Sequence, residues 1–218
     1  MAQQPTPAHP ATMAAQLEAS DTSEDSPIPQ PIFTTSRLFI RHMHPQDQPS
    51  MTRSTNSKAV SKYMSLAFPD PPTIDSTNSW IALNVARPIQ TDFVICEASA
   101  PGDVIGGIGL KLGADVMSHT AEVGFWVGEK HWGKGYVTEA LEGMTRYCFE
   151  SWEGKDGQRL TRLWGGVFGG NVGSMRCFEK CGYAKEGVMN GHAEKRGVVY
   201  DMHIYGLVKA DWEGRQSS

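Results

Sequence analysis

Gly133-Lys134-Gly135, with Tyr136-Val137-Thr138 directly after it, is the segment of this chain best suited to chemistry. Glycine reaches backbone conformations, and allows close approaches, that a Cβ forbids. If a helix starts at Gly135, its first N–H groups have no partner inside the helix. Those free donors and the positive end of the helix dipole suit a diphosphate, and Lys134 adds a cation. The pattern is not Gly-x-Gly-x-x-Gly, which disfavours a dinucleotide fold, and it lacks the Gly-Lys-Ser/Thr ending of a nucleotide loop. One carboxylate, Glu122, is a candidate to take a proton from a reacting group. Glu122 lies out of phase with Ala121, Val123, Phe125 and Val127, so it faces the opposite side of a strand. Its plainer role is a partner for a neighbouring backbone group or arginine.

These residues need elements to position them. Ala121–Val127 alternates like a strand, and the glycine turn leads from it into a helix over about 135–151. Val137, Ala140, Leu141, Met144 and Cys148 form the apolar stripe of that helix. Upstream, 36–41 reads as a strand, 46–66 as weakly helical and 73–87 as a helix after a proline-rich break. Strands at 93–97 and 104–110 then form a hairpin turning at Pro101-Gly102-Asp103. Gly106, Gly107 and Gly109 in its second strand suggest close packing or a bulge. Downstream come a strand at 161–167 and a short helix at 171–181, capped by Asn171 and stopped by Gly182. Two strands, 183–188 and 198–208, enclose a polar loop at 189–197. The expected fold class is α/β: a mixed sheet of about seven strands flanked by helices on both faces.

Charge and composition narrow the function classes. Residues 1–31 hold six of the 13 prolines, four acidic residues and no Lys or Arg. That composition predicts a disordered tail, then a domain over 32–212 and a short tail at 213–218. The other acidic residues balance the 20 basic ones, so no electrostatic footprint for nucleic acid or anionic membrane is expected. No apolar run approaches the roughly 20 residues of a membrane helix. The start of the chain does not read as a secretion signal, so a cytoplasmic location and reduced cysteines are expected. Cys177 and Cys181 share a helix face, where packing is the expected role, and no metal site is expected.

Four segments in order resemble one family. Trp132-Gly133-Lys134-Gly135-Tyr136 with Thr138-Glu139-Ala140 resembles the acetyl-CoA signature of the GNAT N-acetyltransferases. Thr35-Ser36-Arg37-Leu38 with Ile40-Arg41 resembles the opening strand of the branch that acetylates ribosomal-protein N-termini. Asn171 through Ser174, and Glu179-Lys180-Cys181-Gly182-Tyr183, resemble its Asn-x-x-Ser helix. Glu186-Gly187, Tyr200-Asp201-Met202 and Tyr205-Gly206-Leu207 resemble its closing hairpin.

The resemblance implies a splay between the fourth and fifth strands and direct transfer of an acetyl group from acetyl-CoA to an amine. It places Phe125, Trp126 and Val127 along the pantetheine. It places Gly133, Lys134, Gly135, Tyr136, Val137 and Thr138 at the diphosphate, with Asn171, Ser174 and Phe178 on the same cofactor. Glu186 matches a glutamate resembling that branch's base, so Glu122 and Glu186 compete for the role, the plainer reading of Glu186 being a strand-end surface charge. Many relatives carry a tyrosine where Phe178 stands, so Ser174 is the substitute proton donor to the leaving thiolate. Asp201 and His203 are candidates to line an acceptor pocket, and residues 190–197 to help select the acceptor. A peptide or protein N-terminus is the expected acceptor, with a small amine open. Cofactor binding without catalysis is the alternative, and oligomeric state is left open.

Overall fold

The computed structural model describes residue 23, residues 25–154 and residues 157–216. Most of the expected disordered tail lies outside the described residues. Order begins earlier than Ile32: Ser26 Oγ lies 2.8 Å from His44 Nε2. Pro31–Thr34 forms a strand, β1, that the sequence did not signal.

Eight strands form one mixed sheet. They are β1, β2 (Leu38–His42), β3 (Asp92–Glu97), β4 (Ala100–Leu112), β5 (Thr120–Val127), β6 (Arg162–Phe168), β7 (Ala184–Lys195) and β8 (Val198–Val208), in the order β1-β2-β3-β4-β5-β6-β8-β7. Only β5 and β6 run parallel, as their connection through a helix demands. The extra strand β1 makes the splaying pair the fifth and sixth in this chain.

Helices cover both faces, as periodicity predicts. On one face α4 (Tyr136–Glu150) lays Ala140, Leu141, Met144 and Cys148 on Leu38, Ile40, Phe93, Ile95 and Val123. On the other, α1 (Gln48–Thr55) and α3 (Ile74–Val85) bury Met51 and Ile81 against Val94, Cys96 and Val104. Alternate residues of β3 thus serve two cores. A four-residue helix, α2 (Lys58–Ser61), follows α1. The entry to α1 is fixed by a fully buried pair: Arg41 donates to both oxygens of Asp47, at 2.6 and 2.9 Å, and Asp47 also accepts from His44 N–H. Helix α5 (Val172–Lys180) opens at Asn171, whose Oδ1 accepts from Ser174 N–H at 3.4 Å, and ends before Gly182 at φ 83°.

Three expectations are corrected. The β3–β4 hairpin reverses at Ala98-Ser99, and Pro101-Gly102-Asp103 lies within β4. Residues 189–195 continue β7 instead of forming a loop, with an irregular register between Met189 and Ala193 and a turn at Arg196-Gly197, both at positive φ. The polar composition there reflects an exposed hairpin, which has no apolar alternation to reveal it. Residues 209–216, partly expected as a tail, are helical: α6 (Lys209–Gln216) packs Trp212 against Phe149.

Candidate active site

Strands β5 and β6 pair for three residues only: Thr120 with Arg162, Ala121 with Leu163, Glu122 with Trp164. Past Glu122 they diverge, while β5 stays paired to β4 as far as Val127 and β6 to β8 as far as Phe168. The edge of β5 from Val123 to Val127 therefore turns peptide groups into a gap instead of toward β6, where β6 would otherwise satisfy them. The gap is a cleft of about 440 Å³. Val123, Phe125, Trp126, Asn171, Ser174 and Phe178 line it.

The glycine turn stands at the end of the same strand. Gly133 and Gly135 have φ of 74° and 79°, and Gly135 caps α4 with no side-chain hydrogen bond to the helix N-terminus. The N–H groups of Tyr136, Val137 and Thr138 belong to the first turn of a 15-residue helix and lie beyond the reach of its internal bonds. No atom comes within 4 Å of a Cβ built on Gly133, so the turn faces open space. Lys134 Nζ lies 5.8 Å from the Tyr136 ring centre.

A brace the sequence did not reveal holds this turn. Glu139 accepts from Thr35 Oγ1 at 2.5 Å, Ser36 Oγ at 3.1 Å, Arg37 N–H at 3.0 Å and Arg37 Nε at 2.7 Å. Arg37 Nη1 donates to the carbonyl of Lys134 at 2.9 Å, and the guanidinium covers the Tyr136 ring at 4.8 Å. Partial burial pushes the Glu139 carboxyl up. The hydrogen bonds from Thr35, Arg37 and Ser36 outweigh it and leave the group below its ordinary value. On the outer side Tyr136 OH donates to Glu97 at 2.9 Å.

The two candidate carboxylates part company. Glu122 lines the cleft, and its neighbour is Lys111 Nζ at 3.2 Å, a mostly exposed amine. Glu186 is not among the cleft's lining residues. It sits in the β7 irregularity beside Gly206, held by Arg162 at the start of β6. Asp201 and His203 also stay out of the lining, because they alternate with Met202, which lines it. Asp201 instead accepts from Gly191 N–H at 2.8 Å.

Phe178 is 2% exposed, stacked on Tyr205 at 5.6 Å and 9°, and packed against Phe125 and Tyr183. A Cβ at Gly165 would meet the Phe178 ring at 2.2 Å, so that glycine makes the ring's room. Cys177 and Cys181 seam α5 to α4, accepting from Thr138 Oγ1 at 3.5 Å and donating to Thr138 O at 3.3 Å respectively. Burial pushes the Cys181 thiol up to about 12, far from a working thiolate.

The far side of the cleft is built from residues that sequence reading passed over. Met43, Met51 and Trp80 come from the α1–α3 face, and Met64 and Phe68 from the segment after α2. Asp92 joins them at the floor. Burial pushes its carboxyl up despite Arg87 at 2.7 Å. The β4 glycines explain themselves here: a Cβ at Gly107 would lie 2.5 Å from Trp126 Nε1, and one at Gly109 2.4 Å from Asp92 Oδ1. The hairpin tip reaches this wall. Buried Lys195 donates to the carbonyls of Ser61 at 2.5 Å, Met64 at 2.6 Å and Lys62 at 3.4 Å, and Arg196 pairs with Asp70.

Comparison with known proteins gives a consistent result. The family model described as "Acetyltransferase (GNAT) domain" matches residues 37–184. The uncharacterized N-acetyltransferase p20 of Bacillus licheniformis is 24% identical over 184 residues, 83% of this chain and 97% of that protein. A GNAT-family acetyltransferase from Bacillus anthracis superposes with a TM-score of 0.70 at 22% identity, covering 81% of this chain and 98% of that one. RimL, a ribosomal L7/L12 alpha-N-protein acetyltransferase solved in complex with coenzyme A, superposes with a TM-score of 0.67 at 15% identity, over 81% and 97% of the two chains.

Proposed function

Because the chain belongs to the GNAT acetyltransferase family, we propose that its cleft moves an acetyl group from acetyl-CoA to the primary amine of a peptide or protein N-terminus. The enzyme class and the acetyl-CoA donor follow from the family. The acceptor and the residue roles are the proposal. One observation carries it: the unpaired edge of β5 and the start of α5 border one gap, and the glycine turn that follows β5 opens a helix whose Thr138 bonds Cys177 of α5.

The residues present fit the cofactor. Gly133 to Thr138 supply donors and a left-handed turn for the diphosphate, with Lys134 adjacent. Phe125, Trp126 and Val127 offer backbone to the pantetheine along the β5 edge left unpaired by β6, and Asn171 and Ser174, which line the cleft, close its other side. Bound acetyl-CoA supplies an acyl thioester and a thiolate leaving group. Glu122 is the base: it faces the cleft and is tied only to an exposed lysine, whereas Arg162 holds Glu186 outside it. Phe178 has no proton to give, which leaves Ser174 as the hydroxyl for the leaving sulfur. A thiol is acidic enough, with an ordinary pKa of about 8.5, to leave with little help.

The test is steady-state release of CoA thiol with N-terminal peptides, with acetylation located by mass spectrometry. Acetyl on the α-amine supports the proposal; turnover confined to side-chain amines, or none with any amine, rejects it.

A further inference from the structure

The acceptor half of the cleft has a composition of its own. Its floor is the face of β3–β5 that carries Asp92, Gly107, Gly109, Lys111, Glu122, Gly124 and Trp126. The Cβ distances at Gly107 and Gly109 and the Lys111–Glu122 pair place these side chains together. A Cβ on Gly124 would meet nothing within 4 Å, so the floor is open at its centre. Above it stand half-buried apolar side chains: Trp80, Met64, Phe68 and Met202. Phe68 meets Trp126 edge-on, with ring centres 6.0 Å apart.

Two facts limit what fits. The roof is tied down, since Lys195 gathers three carbonyls of residues 61–64 and Arg196 holds Asp70. The whole cleft, about 440 Å³, is near the small end of the roughly 300–1,000 Å³ typical of small-molecule sites. Room remains inside for an amine and one side chain; further residues of a peptide would lie outside the cleft. The charged side chains lining this space are Asp92, Lys111 and Glu122; Lys111 pairs with Glu122, and Arg87, outside the lining, pairs with Asp92. A polyamine would find no surplus negative charge for its further ammonium groups. An aminosugar would set some of its hydroxyls against methionine and tryptophan, since Ser65, Ser76 and Thr77 are interspersed with a mostly apolar wall.

We infer that the acceptor is a primary amine bearing one large apolar side chain beside the nitrogen, as in a peptide beginning with Met, Leu or Phe, or an arylalkyl amine. This rests on the acetyl-transfer proposal above and extends it. The apolar group lies between Trp80, Phe68 and Met64, and the amine points to Glu122 across the Gly109–Gly124 floor. Peptides that begin with Ser or Ala leave that space unfilled. At about 25 cal/mol per Å² of apolar area removed from water, the missing side chain lowers affinity by roughly tenfold or more.

The experiment pairs two readouts on the full chain. Competition kinetics compare Met-, Leu- and Phe-starting peptides and 2-phenylethylamine with Ser- and Ala-starting peptides, spermidine and glucosamine. Calorimetry measures binding of the same amines to the protein saturated with CoA. Expected is a preference of tenfold or more for the apolar set in kcat/KM and in affinity. Phe68→Ala should erode it several-fold; Ser76→Trp, which narrows the space from α3, should reverse it. Equal or better use of Ser and Ala peptides, or of spermidine, overturns the inference. If no amine is acetylated, the transfer proposal fails, and calorimetry still decides this one: absence of selective binding by apolar amines overturns it. The peptide and phenylethylamine arms tell a polypeptide acceptor from a free amine.

Discussion

Arg37 holds Glu139 by two routes, an ion pair of 2.6 Å and a backbone N–H donated at 3.0 Å, and the same guanidinium grips the carbonyl of Lys134. The chain before β2 is thereby locked to the turn that starts α4. An ion pair this exposed contributes little to stability by itself, about 0–1 kcal/mol. Its effect is to hold the turn in shape before a ligand arrives.

Replacing Arg37 with Ala should therefore weaken CoA binding by about five- to tenfold, roughly 1–1.4 kcal/mol, with a small change in melting temperature. Calorimetric titration of CoA checks it, and an unchanged affinity would show that the brace is incidental.

The pH dependence of the brace has a definite sign. The folded Glu139 carboxyl lies below its ordinary value of 4.5, after hydrogen bonds overcome burial. Its contribution to stability is fully present above that value and is lost as pH falls through the lower, folded value. Thermal melts from pH 7 down to pH 3 should show wild type losing more stability than Glu139→Gln below about pH 4.5. Parallel curves would remove Glu139 from the acid response.

The turn itself can be tested by Gly135→Ala. At φ 79° a Cβ costs about 1–2 kcal/mol, or about 2–8 °C of melting temperature for a chain this size. The new methyl would lie 3.5 Å from Arg37 Nη2. CoA affinity should fall more than tenfold while the fold persists by circular dichroism. Gly135→Asp, which sets a carboxylate against the diphosphate, should abolish binding.

Glu122→Gln should lower kcat by a factor of about 10²–10³, in the range of general base catalysis, with CoA affinity unchanged. Glu186→Gln should stay within about threefold of wild type. The reverse pattern in stopped-flow thiol release would move the base to Glu186.

Lys195→Met tests the tie between the hairpin tip and the roof. It leaves carbonyls of residues 61–64 without their donor, at a cost of about 1–3 kcal/mol. The acceptor KM should rise several-fold while the KM for acetyl-CoA holds. Equal rises in both would indicate general loosening.

The glycine turn and the start of α5 were legible in the sequence because their demands are local. A left-handed turn needs glycine, and a helix start needs a cap, so Gly133, Gly135 and Asn171 announce themselves within a few residues. The far wall of the cleft was not legible. Trp80, Met64 and Asp92 meet only after folding, and each alone reads as ordinary core or surface. Lys195 and its carbonyl partners are more than 130 positions apart. Glu139 was visible only as part of a signature, since its partners lie 102 to 104 residues upstream. Alternation on β8 was read correctly, but which face met the cleft depended on β6, so Asp201 and His203 were chosen where Met202 belongs.

Three residue pairs are all that join β5 to β6, so the sheet behaves mechanically as two plates sharing a short seam. Any molecule spanning the gap touches both plates and acts as a splint across it. Tightness of binding and stiffness of the molecule then become one property, and a substitution far out on either plate can change how firmly the donor is gripped without touching it.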